Sequence, residues 1–568
     1  MKKIIYLILF VPLLFVACDD YLKLKPDGDF GEDFLFGNHN YVEGIITKVY
    51  QSIPSFYNNT GGDFLDCATD NAVSNVYSSS VYKLTSGGWS AGSNPLNNWT
   101  SAYQNIRQIN LFLDHNYNTV YFDYDSVRNE QRKFRLQGEA YFLRAWFYWE
   151  LLQRFAGPVS DGSIKGVPIV VSVLDVKDFP NLSRASYDEC VAQIVEDCDS
   201  AINHLPDSYS GGSPEYGVDN KGRANALAAL CLKSRVLLYA ASPLFNPTND
   251  PQKWINAAIA ANEGIEKIGS LPSIPNTDFD KKYYNDPNHG EIIMRRMATN
   301  RSPENANFPP SFYGAGRTNP SQNLVDAFPM ANGYPITDLV NSGYNPDKPY
   351  EGRDPRFGKI IIYHNVPFKG TVVDISNDGK DSESAYQARA TRTGYYLRKW
   401  LSDEVNLTPG KTSNAKHYFA LFRKAEFYLN YAEAANEAWG PTSDPLNLGR
   451  NAKDALAAIR SRAGIISPDG YLTEIASRGK EDFKNLVHNE RRIELCFEGH
   501  RFYDIRRWKD NLNVPILGIE NIEVDGDGIY TMDSKTVEVP KYSNYMYYGP
   551  LPLSEVLQFP NLEQNVGW

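Results

Sequence analysis

Cysteine is scarce in this chain, with six among 568 residues, and no two of them form a CxxC pair. Its eight histidines show no HExxH or other metal-ligand spacing. No metal centre or cofactor is expected from such a sequence. Basic residues are in deficit, 57 Lys and Arg against 68 Asp and Glu, for a net charge of −11. An acidic surface excludes nucleic-acid binding and argues against anionic substrates held by broad basic patches. Also missing are a Ser-His-Asp order, a nucleophile elbow and a phosphate-binding loop.

One long apolar run does stand out, in MKKIIYLILFVPLLFVAC. Lys2 and Lys3 precede it, and small Ala17 leads into Cys18. The run is shorter than the roughly 20 apolar residues needed to cross a bilayer, so it reads as a secretory signal spanning 1–17. Its Ala-Cys junction is that of a lipoprotein signal, in which Cys18 is lipidated and becomes the mature N-terminus. The alternative is an ordinary signal peptide with an incidental cysteine. Residues 18–40 then read as a tether and lead-in loop, rich in Asp, Gly and Lys. Of the other cysteines, Cys190 and Cys198 lie eight apart on one helical segment. That puts them roughly 12 Å apart along its axis, too far for a bridge. Cys67, Cys231 and Cys496 leave an odd count, so at least one thiol is free, and Cys231 and Cys496 read as small buried hydrophobes.

Aromatic residues are abundant: 37 Tyr, 28 Phe and 9 Trp make 13% of the chain. Most are expected to pack a helical core. Tyrosine in this number exceeds core needs, since a buried hydroxyl must find a partner. Surplus Tyr and Trp in loops suit stacking on flat apolar faces such as sugar rings. Helical periodicity comes in pairs near 41–113, 133–205, 220–268 and 417–463. Ser186 ahead of Glu189 makes a capping box, and Ala224, Ala228, Cys231 and Arg235 make a small-residue face. The predicted fold is all-α, a tetratricopeptide-like scaffold of helix pairs within a single domain over 41–568. Between the third and fourth pairs, 269–413 is dense in Pro, Gly, Asn and Tyr. Only short strands near 359–364 and 395–399 are expected there. A second loop-rich stretch, 56–97, splits the first pair. Such long irregular segments carry function or stay disordered, and their aromatics favour function.

Several separated segments resemble one family. VHNERRIELCFEGHRFYDIRRW at 487–508 is similar to the C-terminal signature of SusD/RagB outer-membrane lipoproteins. So are EAYFLRAWFYWELLQRFAGPV at 139–159, GRANALAALCLKSRVLLYAASP at 222–243, KAEFYLNYAEAANEA at 424–438 and AIRSRAG at 458–464. DPR at 354–356 and NLEQNVGW at 561–568 agree as well. The resemblance implies a non-enzymatic, lipid-anchored protein facing the cell exterior. It would capture glycans and pass them to a SusC-like TonB-dependent transporter. Two rivals stay open: an all-α glycoside hydrolase, and a peptide-capturing relative in the same family.

Candidate ligand contacts come from loops. Trp89 sits in SGGWSAGSN, where flanking Gly and Ser give no cover, so an exposed stacking platform is expected. Asn94, five residues on, is placed to bind sugar hydroxyls, and the resemblance implies such a Trp-and-Asn arrangement. Asp66 and Asp70 in FLDCATDN suit vicinal hydroxyls or, alternatively, turn capping. Tyr313 and Tyr395 are further aromatic candidates. Glu490, Glu494 and Glu498 recur at helical spacing among arginines. They read as a structural ion network, a partner surface or a catalytic carboxylate set, and the arginine neighbours favour the first. Trp99 and Tyr103 read as helix-packing aromatics.

Overall fold

Short polar residues set the helix starts. Asn38 accepts the Asn40 N–H ahead of α1 (His39–Gln51), and Asp125 accepts that of Arg128 ahead of α3 (Ser126–Phe155). Ser186 and Glu189 close the expected capping box on α4 (Tyr187–His204). Asn225 caps α5 (Ala226–Ala241), and Pro251 opens α6 (Pro251–Ile268) behind Asp250. The computed structural model describes residues 36–175, 177, 181–272, 289–385 and 388–568. The signal and Cys18 lie outside the described residues.

With α2 (Trp99–Asn116), α7 (Lys424–Trp439) and α8 (Ala452–Ala463), these helices form four pairs, and each helix packs on the next from α1 to α8. The order is the expected tetratricopeptide-like one, and the protein is helix-rich with few short strands. Two close approaches depend on glycine. A Cβ on Gly138 of α3 would come within 2.6 Å of His204 and 2.8 Å of Leu205. At Gly264 of α6 it would run into the Phe427 ring of α7. The small-residue face of α5 meets α7 through a buried bidentate pair, Arg235 to Glu426 at 2.6 and 2.7 Å. Behind these pairs, α9 (Gly470–Arg478), α10 (Lys480–Glu494) and α11 (Arg501–Arg507) complete the scaffold. The five cysteines of the described residues are buried free thiols.

Two expectations need correction, and one element is new. Helix was expected from residue 417, but Ala415–Arg423 forms a strand (β2) against Ile292–Asn300 (β1), and α7 starts only at Lys424. The run His417–Arg423 is wholly buried, and its aromatics suit a ladder whose partner lies more than a hundred residues away. The expected strand at 359–364 is cut short: Phe357–Ile360 is helical, and Ile361–Ile362 pairs with Tyr396–Leu397. A hairpin of β3 (Ile516–Val524) and β4 (Tyr530–Glu538) was not expected at all.

The two loop-rich stretches meet through a short antiparallel ladder, Ala72–Ser74 against Thr318–Pro320. This pairing positions the candidate site.

Candidate functional site

Trp89 is not an exposed platform. It is 4% exposed, its indole N–H donates to Asn94 Oδ1 at 2.9 Å, and the Trp568 ring meets it edge-on at 4.9 Å. The Gly and Ser flanks offer no cover, but Phe502 of α11 and Trp568 supply it from far along the chain. Asn94 Oδ1 also accepts the Leu96 N–H at 2.9 Å, so its oxygen is occupied within the loop.

Asp66 is buried, and Oδ1 accepts from Asn71 Nδ2 and from the Phe497 N–H, both at 2.9 Å. Burial raises its carboxyl. Phe497 carries a φ of 59°, and the Asp66 carboxylate holds this left-handed corner. Asp70 is clasped by Arg501 through two 2.9 Å bonds and by Arg492 at 3.0 Å. Burial alone would raise its carboxyl, but the two guanidinium groups outweigh it and hold the group well below the usual range. Tyr395 is fully buried, its hydroxyl donating to Gln322 Oε1 at 2.6 Å.

Tyr313 differs. It is 53% exposed and follows the turn Pro310–Phe312 in the left-handed region. Ser311 anchors that turn by donating its N–H and hydroxyl to Asp381, each at 2.8 Å. The residue missed in the sequence is Tyr77, 72% exposed on the loop that follows the Ala72–Ser74 strand. Its setting in NVYSSS is as poor in covering residues as that of Trp89, and the same reasoning would have found it. The guanidinium of Arg392 lies 4.6 Å from the Tyr77 ring centre, and Tyr82 lies near-parallel to it at 6.5 Å.

Asn75 ties these loops together. Its side-chain amide donates to the carbonyls of Ala315 (2.8 Å), Gly316 (2.9 Å) and Ala390 (3.4 Å), and its own N–H to that of Arg317 (2.9 Å). Tyr77 follows this knot by two residues, and Tyr313 precedes Ala315 by two. Beneath, Arg317 forms a bidentate pair with buried Asp63 at 2.7 and 2.9 Å. Gly62 allows that approach, since a Cβ there would sit 2.9 Å from the guanidinium at a φ of 89°. Two exposed tyrosine rings thus lie on loops that hydrogen bonds hold together. Such a surface can stack on flat, hydroxyl-bearing molecules.

The glutamate stripe is structural. Glu490 meets Arg356 at 2.6 Å and Arg460 at 3.1 Å, while Glu494 meets Arg423 at 3.0 Å and Arg356 at 3.1 Å. Glu498 is held by Lys399 and Arg423, each at 2.7 Å. Against its own burial, Arg462 and Arg423 keep Glu494 ionised. Trp99 packs edge-on to Phe155 at 5.2 Å, and Tyr103 donates to the Pro168 carbonyl at 2.8 Å. Both are helix-packing aromatics, and both also line an apolar hollow of about 290 Å³ with Phe559. Among the described residues, no group of three or more His, Cys, Asp or Glu is placed to hold a metal ion.

The SusD family model matches residues 279–568, and a model described as starch-binding and associating with the outer membrane matches residues 20–238. SusD-like protein P25 of Formosa agariphila is 22% identical over 550 residues, 90% of this chain and 91% of that protein. A SusD-like protein from Bacteroides fragilis superposes with a TM-score of 0.74 at 25% identity, covering 94% of this chain and 98% of the other. Surface glycan-binding protein A from Bacteroides fluxus shares the fold, with a TM-score of 0.59 at 20% identity over 94% of this chain and 100% of that one. The paired helices, the arginine-held glutamate stripe and the match over the chain's C-terminal half converge: the chain belongs to the SusD family.

Proposed function

We propose that the protein is a glycan-binding lipoprotein of the outer membrane, anchored through Cys18 and facing the exterior. It captures oligosaccharides on Tyr77 and Tyr313 and passes them to a SusC-like TonB-dependent transporter without cleaving them. The observation that carries this reading is the pair of exposed tyrosine rings on loops joined at Asn75. Stacking there needs a ligand with flat apolar faces, and pyranose or furanose rings present them together with hydroxyls. The outer-membrane and starch-binding description of the matched model supports the location and the ligand class. A relative from Bacteroides fragilis named as a SusD-like carbohydrate-binding protein supports the ligand class again. Against a hydrolase stands the glutamate stripe, in which every carboxylate is engaged by arginine or lysine.

Calorimetric titration against a panel of oligosaccharides, paired with a reducing-end assay, tests both halves of the proposal. Binding without new reducing ends is expected. Cleavage would overturn the non-enzymatic reading, and binding undiminished in a Tyr77→Ala, Tyr313→Ala double variant would overturn the site.

A further inference from the structure

The described chain begins inside an uncovered apolar edge. Phe36 stacks face to face on His115 at the end of α2, centroids 3.6 Å apart, and meets Tyr41 of α1 edge-on at 5.7 Å. Tyr41 of α1 is exposed, and along the α2–α3 connection so are Tyr117, Val120, Tyr124 and Val127, Tyr117 by 83% and Tyr124 completely. His39 of α1 packs edge-on to Tyr121 at 6.3 Å, which joins the start of α1 to the α2–α3 connection as one surface. The connection is held firmly. Tyr121 is buried, its hydroxyl donating to Asn116 at 2.9 Å and its N–H to Asn129 at 2.7 Å. Its neighbours are therefore displayed by a fixed backbone, and clustered exposure of this kind marks a contact surface.

We propose that this edge lies in the interfacial layer of the bilayer that carries the anchor. The proposal rests on the reading of Cys18 as the lipidated residue. Phe36 is where the described chain leaves for Cys18, about 18 residues upstream, a stretch that spans at most about 60 Å. The edge is thus the part of the described surface next to the tether. Tyrosine suits that layer, with an apolar ring for the acyl boundary and a hydroxyl for the wet side. The charges nearby are mixed: Asp114, Asp123, Asp125 and Glu130 against Arg128 and Lys133. Asp125 is engaged as the cap of α3 and Lys133 with the Tyr117 carbonyl. Among the described residues of this edge no basic patch is available for lipid phosphates, so their contact is made by rings and apolar side chains and is insensitive to salt. No helix among the described residues is long and apolar enough to cross a membrane, which fits a surface contact.

The test uses the full lipoprotein in phosphatidylethanolamine–phosphatidylcholine vesicles doped with spin-labelled lipid. A fluorophore is placed at Tyr124→Cys, at Tyr117→Cys, or at Val340→Cys, a site 89% exposed on another loop. The five cysteines of the described residues are buried, which directs the label to the new thiol. Quenching several-fold stronger at 124 and 117 than at 340, unchanged by salt, is the expected result. Equal quenching at all three sites in a protein that floats with the vesicles overturns this proposal alone. Protection of 124 and 117 only by a co-reconstituted transporter makes the edge a protein contact and also overturns it. A protein that fails to float overturns the Cys18 reading and this proposal with it.

Discussion

The indole N–H of Trp89 donates to Oδ1 of Asn94 at 2.9 Å, and this bond folds the loop so that the ring turns inward onto Trp568 and Phe502. Trp89→Ala is therefore expected to lower stability by about 3–5 kcal/mol through the cavity it leaves. Asn94→Ala should cost about 1–3 kcal/mol by leaving the indole and Leu96 N–H groups unpaired. Denaturant melts of both variants check this. A Trp89→Ala protein of normal stability that no longer binds glycan would return the ring to the ligand site.

Trp89 also shows where sequence reading reached its limit. Helix pairing was legible because the 3.6-residue period, the caps at Ser186 and the small face of α5 are local signals. The glutamate stripe was legible as an ion network but not in its partners: the neighbouring Arg491, Arg492 and Arg501 turn to Asp504 and Asp70, while Arg356, Lys399, Arg423, Arg460 and Arg462 reach the glutamates from other segments. Burial of a loop side chain is not local. Trp89 is covered by Trp568, Tyr395 by Tyr350 and Gln322, and Asp66 by Phe497. Each cover comes from a segment tens to hundreds of residues away. The strand at Ala415–Arg423 was misread for the same reason, its partner β1 lying far back in the chain.

At the candidate site, Tyr77→Ala and Tyr313→Ala are each expected to weaken glycan binding by about 1–3 kcal/mol, the scale of aromatic contact residues. That is roughly 5- to 150-fold in Kd. Both rings are exposed, so stability should move by no more than about 0.5 kcal/mol. Trp99→Ala is the contrasting variant, losing stability through its packing on Phe155 while the folded fraction binds normally. Titration calorimetry and thermal melts of the three proteins decide it.

Acid sensitivity is expected to begin well above the carboxylate range. Burial, with Arg507 adding to it, outweighs the pull of Glu433 and pushes His488 down to about 3. Burial also holds His500 well below its ordinary value. The unfolded chain takes up these protons near pH 6.5 and the folded chain does not. Stability is then fully present above about pH 6.5 and falls toward pH 3, by up to about 1.4 kcal/mol per pH unit for each histidine. His488→Phe keeps an aromatic ring against Trp508, on which His488 stacks at 3.6 Å, and should flatten that slope. Denaturant midpoints measured from pH 7.5 to 4 test it, and an unchanged slope would remove His488 from the account.

Asn75 is expected to position the two tyrosines without touching ligand. It is 8% exposed, and its amide holds carbonyls of both the Tyr313 loop and the segment that leads to Arg392, the residue against the Tyr77 ring. Asn75→Ala leaves those carbonyls short of a donor and should cost about 1–3 kcal/mol in stability. The helix pairs do not pass through this knot, so the scaffold should survive and its helical signal remain. The binding loss should be real and indirect, which a mutant cycle can resolve. If Asn75 acts by holding Tyr77, removing Tyr77 first leaves less for Asn75→Ala to disrupt. The double variant should then fall short of the sum of the single effects on affinity by about 0.5 kcal/mol or more. Additive losses would mean that the two residues act independently. Normal affinity in Asn75→Ala, at reduced stability, would mean that the ladder of Ala72–Ser74 and Thr318–Pro320 alone sets the spacing of the rings.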